Sequence, residues 1–232
     1  MIMPSDKEYK WTKLIMQARA TINQDFKPLA DWIDKTFDVK TVNIIYDSID
    51  NGRRPRLQIN FEHYSEEAKF RAESGYGYDE EKQNAIAKAF ENSLFHEGIS
   101  RGGIFNLFSK KSKYTAKNIW VIFSSFEPIA RIEANESIPQ DKVQQLKQDL
   151  NIKEIWEISR CFSGTTFFFY TDKQVAENSN NGMKKFLAEK YFEILKPYDE
   201  FNYFKKETFS VNLDSKENFD NNYESNWYYY YK

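Results

Sequence analysis

The strongest constraint on how this chain can fold is that its two halves read alike. Residues 29–62, LADWIDKTFDVKTVNIIYDSIDNGRRPRLQINFE, spell a helix with an apolar stripe, a strand, a glycine-bearing turn and a strand of alternating polarity. Residues 143–170, VQQLKQDLNIKEIWEISRCFSGTTFFFY, run through the same order. Ala30, Ile33 and Phe37 recur as Val143, Leu146 and Leu150 at a constant spacing of 113 residues. A fixed spacing of this kind predicts one supersecondary unit written twice.

The echo continues on both sides of these segments. Trp11, Leu14, Ile15 and Ala18 stripe a helix over 8–20, and Pro28 suits the first turn of the helix that follows. Strands are expected at 41–49 and 56–61 around Asn51-Gly52, then a helix capped by Asp79 and carrying Ile86, Phe90 and Leu94. Two further strands, 119–126 and 129–133, flank Glu127-Pro128. In the second half Ser137 is the expected N-cap ahead of Pro139, and strands 153–159 and 165–170 flank Ser163-Gly164. A helix with Met183, Leu187, Tyr191 and Ile194 follows, then a strand with Phe209, Val211 and Leu213, and a terminal strand from Trp227 to Tyr231. The predicted fold is α+β: a tandem α-β-β-α-β-β unit, residues 1–135 and 136–232, with antiparallel sheets and helices packed on one face. The first unit alone carries an insert, ISRGGIFNLFSKKSKYTAK, at 99–117.

Composition narrows the function classes. The 232 residues are 41% hydrophobic, enough for a real core, and 17% aromatic. A net charge of −2 gives no global field toward nucleic acid or anionic lipid, so a charged partner must use a local patch. Cys161 is the only cysteine, which rules out an intrachain disulfide. No apolar run approaches the roughly 18 residues of a membrane span. The first residues, MIMPSDKEYKWTKLIMQ, lack the apolar core of a secretory signal, so the expected setting is cytoplasmic with no membrane partner.

Few residues suggest catalysis. His63 and His96 are the only histidines, and neither stands in a metal-ligand spacing, so neither metal nor cofactor is expected. Asp47 and Glu62, on neighbouring hairpin strands, are the carboxylates that could serve a hydrolase if they faced one cleft. The basic insert offers Arg101, Lys110, Lys111 and Lys113 interleaved with Phe105, Phe108 and Tyr114, a composition able to contact nucleic acid. Two other clusters suit a protein partner. SGYGYDEE, residues 74–81, places Tyr76 and Tyr78 beside Asp79, Glu80 and Glu81, which favours a basic partner. The tail ENFDNNYESNWYYYYK, read as a strand, puts Trp227, Tyr229 and Tyr231 on one face.

The order helix, hairpin, helix, hairpin, ending in NLDSKENFDNNYESNWYYYYK, resembles the C-terminal part of YezG-like bacterial immunity proteins over about the last hundred residues. That resemblance implies a small cytoplasmic α+β protein that neutralises a polymorphic toxin. It transfers no site residue to this chain. The leading expectation is therefore a non-enzymatic protein-binding protein of the immunity type. A nucleic-acid-associated protein using the insert is the first alternative, and a carboxylate-based hydrolase the second.

Overall fold

The structure, a computed structural model, describes residues 2–101 and 113–232. The chain divides into two compact units, Met1–Ile129 and Ala130–Lys232. Each holds one three-stranded sheet. The first unit runs α1 (Lys7–Met16), α2 (Lys27–Phe37), β1 (Thr41–Ile49), β2 (Arg54–Phe61), α3 (Tyr64–Ala68), α4 (Glu80–Arg101) and β3 (Trp120–Ser125). Helix α5 (Phe126–Glu136) carries the boundary. The second unit continues with α6 (Gln140–Leu150), β4 (Ile155–Cys161), β5 (Gly164–Phe169), α7 (Asp172–Asn180), α8 (Met183–Leu195), β6 (Asn212–Ser215), α9 (Lys216–Tyr223) and α10 (Trp227–Tyr231).

The hairpins expected at 41–61 and 153–170 form, those expected at 119–133 and 209–231 do not, and the sheets are mixed and not antiparallel. Strand β2 pairs antiparallel with β1 and parallel with β3, and β5 does the same with β4 and β6. A parallel third strand needs a long helical crossover, which α3 and α4 supply in the first unit and α7 and α8 in the second. The expected strand at 129–133 is instead part of α5: Pro128 stands in the first helical turn, where its missing N–H costs nothing, and Phe126, Ala130 and Ala134 are buried at four-residue spacing. Helix α6 starts one residue after Pro139, which takes the N-cap position expected for Ser137.

In the first unit Ile44, Leu57, Ile59, Phe61, Val121 and Phe123 share the sheet face packed on Leu29, Ile33, Phe70, Ile86 and Phe90. The opposite face is polar and also covered: Asn43, Gln58 and Asn60 are buried, and Thr12 of α1 accepts a hydrogen bond from Asn43 Nδ2 at 3.1 Å. In the second unit Ile158, Phe167 and Phe169 face Val143, Leu187, Tyr191 and Leu195. Its opposite face carries Phe168, covered by Phe219 and by Trp227 at ring-centroid distances of 6.2 and 5.3 Å. Helices therefore lie over both faces of each sheet, and the expected one-sided packing is corrected on this point.

The two units repeat small details of hydrogen bonding. Each has a register irregularity at the start of its first strand, Thr41/Asn43 and Ile155/Glu157. Each ends its second strand in a phenylalanine opposite a serine, Phe61 with Ser125 and Phe169 with Ser215. Both serine hydroxyls donate to a carboxylate on the helix after that second strand, Glu67 and Asp172. The backbone N–H two residues beyond each serine bonds the carbonyl after each phenylalanine, Glu127 to Glu62 at 2.9 Å and Glu217 to Tyr170 at 3.2 Å.

Candidate protein-binding groove

The predicted residues at 74–81 divide into structural and free ones. Tyr78 is spent on the fold: its hydroxyl donates to the Phe123 carbonyl at 2.7 Å and its ring lies under the Arg71 guanidinium at 4.8 Å. Burial pushes its phenol up. Asp79 caps α4 through the Lys82 N–H at 3.1 Å, and the Lys82 ammonium holds its carboxyl below the usual range. Tyr76, 89% exposed between Gly75 and Gly77, remains free of the core, as do Glu80 and Glu81 at the start of α4.

The tail is a helix and not a strand. Asn226 caps it by accepting the Tyr228 N–H at 2.9 Å. Helical spacing separates Tyr229 from Trp227 and Tyr231, which the strand reading placed together. Trp227 stacks on Trp156 with centroids 6.0 Å apart and planes at 7°. The Tyr231 hydroxyl donates to Ser159 Oγ at 2.7 Å, and that of Tyr230 to Asp214 at 2.5 Å. Tyr228 and Tyr229 are left at the surface.

These anchors predict sensitivity to alkali. Burial, foremost, raises the phenols of Tyr191, Tyr230 and Tyr231, and the Asp214 carboxylate adds to the effect at Tyr230. A phenol raised on folding contributes stability that is complete below its unfolded value of about 10 and is lost as pH climbs above it. Unfolding of the second unit should therefore accompany tyrosinate formation above about pH 10. Simultaneous recording of tyrosinate absorbance and far-ultraviolet circular dichroism checks this, and ionisation of all phenols with ellipticity unchanged would refute it.

The hydrolase pair is not assembled. Asp47 faces Arg56 and forms a bidentate pair with it, at 2.8 and 2.5 Å. Glu62 follows Phe61, whose partner is Thr41. At about 3.4 Å per residue the two carboxylates lie about 20 Å apart along the hairpin, about twice the widest separation used by paired-carboxylate hydrolases. His63 caps α3 and its Nδ1 lies 2.7 Å from Glu127. In the insert, Lys110 and Lys111 fall outside the described residues and Arg101 enters only as the backbone end of α4. Lys113 Nζ lies 3.5 Å from Asp25 and 4.9 Å from the Tyr114 ring centre. Among the described residues no three His, Cys, Asp or Glu side chains gather to hold a metal ion.

A groove of about 450 Å³ lies at the edge of the second sheet, where β4 is the outer strand. Trp156, Glu157, Ile158, Ser159 and Arg160 line it without a gap, joined by Glu136, Gln140 and Trp227. Neighbouring residues of a strand point to opposite faces, so an unbroken run of five means that the groove follows the strand's edge rather than either face. Helix α10 walls it through Trp227, and the end of α5 with the start of α6 through Glu136 and Gln140.

Its charges are unequal in freedom. Arg160 is consumed: Nη1 donates to the carbonyls of Asn135 and Ile138 at 2.8 and 2.7 Å, and Nη2 to Gln140 at 2.9 Å, closing the exposed carbonyl end of α5. Glu136 and Glu157 pair with no cation among the described residues. Glu157 accepts only the N–H of Ile158, at 2.9 Å. Trp156 already takes one cation, with Lys216 Nζ 5.3 Å from its ring centre. The groove thus combines indole surface with two carboxylates that no cation pairs among the described residues and one guanidinium turned onto neutral carbonyls. Glu136, Gln140, Trp156, Glu157, Ser159 and Arg160 escape sequence reading because nothing local marks them; they meet only when α5 and α10 reach the same strand edge.

No family model, no curated protein and no solved structure matches the chain.

Proposed function

We propose that this is a non-enzymatic protein-binding protein that receives a basic partner in the groove along β4, and that it acts as an immunity protein by occluding a toxin. The observation that carries the proposal is the meeting of two carboxylates that no cation pairs among the described residues, Glu136 and Glu157, with the Trp156 and Trp227 indoles in one concave site. Aromatic anchors supply contact area at low cost in side-chain entropy, and opposite charge steers the partner and fixes its register. The immunity role follows the resemblance of the C-terminal sequence to YezG-like proteins. In the first unit, taken by itself, the exposed Tyr76, Glu80 and Glu81 offer a separate aromatic and acidic surface suited to a basic partner.

The paired details of the two sheets, above all the serine-to-carboxylate bonds of Ser125 and Ser215, support an origin by duplication of one unit. On that reading the second copy has kept or gained recognition through the tail that the first copy lacks.

The test uses the full chain and a double variant, Glu136→Lys with Glu157→Lys, each co-expressed with a candidate toxin sought among the products of the neighbouring genes. The wild type should protect growth and bind the toxin. The variant, folded by circular dichroism, should bind about a hundredfold more weakly, because like charge set against a basic surface costs several kcal/mol. Equal protection and equal affinity would refute the groove as the binding site, and a toxin unaffected by the wild type would refute the immunity role.

A further inference from the structure

The geometry points to strand addition as the binding mode: an extended basic segment of the partner pairs with the outer edge of β4. This rests on the protein-binding reading and specifies what the groove reads. Strand β4 has β5 on one side only, so its other side presents a row of backbone donors and acceptors. Two of them are held by side chains instead of backbone. The Trp156 carbonyl accepts from Lys147 Nζ, and the Ile158 N–H donates to Glu157 Oε1 at 2.9 Å.

Side chains in these places shield the edge without sealing it. Lys147 and Glu157 can return to water, and an incoming strand replaces them group for group: its N–H takes the Trp156 carbonyl and its C=O takes the Ile158 N–H. Displacement also frees the Glu157 carboxylate. Released from Ile158, it stands beside Glu136 to meet lysine or arginine side chains, which alternate along an extended segment at the spacing of the strand it joins. Arginine or lysine can also lie against the Trp156 and Trp227 indoles that border the edge. Charge complementarity therefore favours a basic segment: the lining's two glutamates outnumber its one cation, Arg160, whose guanidinium is turned onto the carbonyls of Asn135 and Ile138, and the displaced Lys147 ammonium returns to water.

The experiment titrates the full chain with a short peptide of alternating lysine and valine. A twin N-methylated at alternate residues cannot donate along one edge, and a glutamate-valine peptide reverses the charge. Amide hydrogen exchange at residues 156–160 is the readout. The lysine peptide should bind and slow exchange at Ile158, the N-methylated twin should bind at least tenfold more weakly, and the acidic peptide should not bind. Glu136→Gln with Glu157→Gln should lower affinity for the lysine peptide about tenfold. Equal binding by the N-methylated twin would overturn strand addition while leaving the charged groove intact. Failure of the lysine peptide to bind, with toxin binding still abolished by charge reversal, would overturn strand addition and leave the protein-binding reading standing. Protection of 156–160 in the chain alone, together with a dimer in sedimentation, would overturn it in favour of a second copy as occupant.

Discussion

Replacing Asn135 by Asp should lower the stability of the second unit by about 3–5 kcal/mol at neutral pH. Asn135 is fully buried at the end of α5. Its Nδ2 donates to the carbonyls of Phe162 and Gly164 at 2.9 and 3.1 Å, on the turn between β4 and β5. Its Oδ1 accepts from Tyr191 at 2.7 Å and Thr165 at 3.4 Å. One amide thus ties a helix end, a hairpin turn and α8 together. Aspartate keeps the acceptor and loses the donor, leaving a buried carboxylate pointed at two carbonyl oxygens. Its folded pKa must rise, so the charge part of the penalty is absent below the unfolded value of about 4 and grows as pH climbs above it, while the loss of one of the two donated bonds remains at every pH. Urea unfolding at neutral and acid pH measures both parts. A loss below about 1 kcal/mol, or one independent of pH, would show that the amide is not the tie described.

Phe70→Ala should cost the first unit about 3–5 kcal/mol. Phe70 follows α3, is wholly buried, and stacks on Phe123 at 4.4 Å and on Phe61 at 5.0 Å, with Phe37 edge-on at 5.1 Å. It packs the crossover segment against all the layers it joins: the ring of β2, the ring of β3 and the end of α2. Truncation leaves a cavity that those rings cannot close, since each is fixed on its own element. Against a total of about 5–15 kcal/mol for a typical domain, this is enough to populate the unfolded first unit. Phe70→Leu, which keeps most of the volume, should cost about 1.5 kcal/mol or less. Thermal unfolding of the two variants separates these values, and equal losses would mean that ring stacking and not volume governs the site.

Legibility in the sequence followed the range of the interaction concerned. The hairpins were readable because alternation at Leu57, Ile59 and Phe61 and the turn at Asn51-Gly52 are local properties of the backbone, whereas the second turn falls one residue earlier than expected, at Phe162-Ser163, with Gly164 already paired to Cys161. The Asp79 cap was readable for the same reason. The tail misled because Trp227–Tyr231 is aromatic at every position. Such a run satisfies a strand and a helix equally and has no period to choose between them. The one local sign was Asn226, a preferred N-cap directly ahead of it. At 129–133 the isoleucines suggested a strand, whereas the position of Pro128 in a first turn and the four-residue spacing of Phe126, Ala130 and Ala134 belong to a helix.

The sequence by itself determined the α+β class and the two segments in which a helix leads into a hairpin, since composition and short-range periodicity carry both. Only the tertiary structure decided that each third strand returns parallel, that Tyr78 and Arg160 are consumed by the fold, and that Glu136, Glu157, Trp156 and Trp227 share one groove. The physical reason is chain separation. Residues on α5, β4 and α10 stand far apart in sequence, and their meeting depends on burying two sheet faces at once, which no local window of the chain can register.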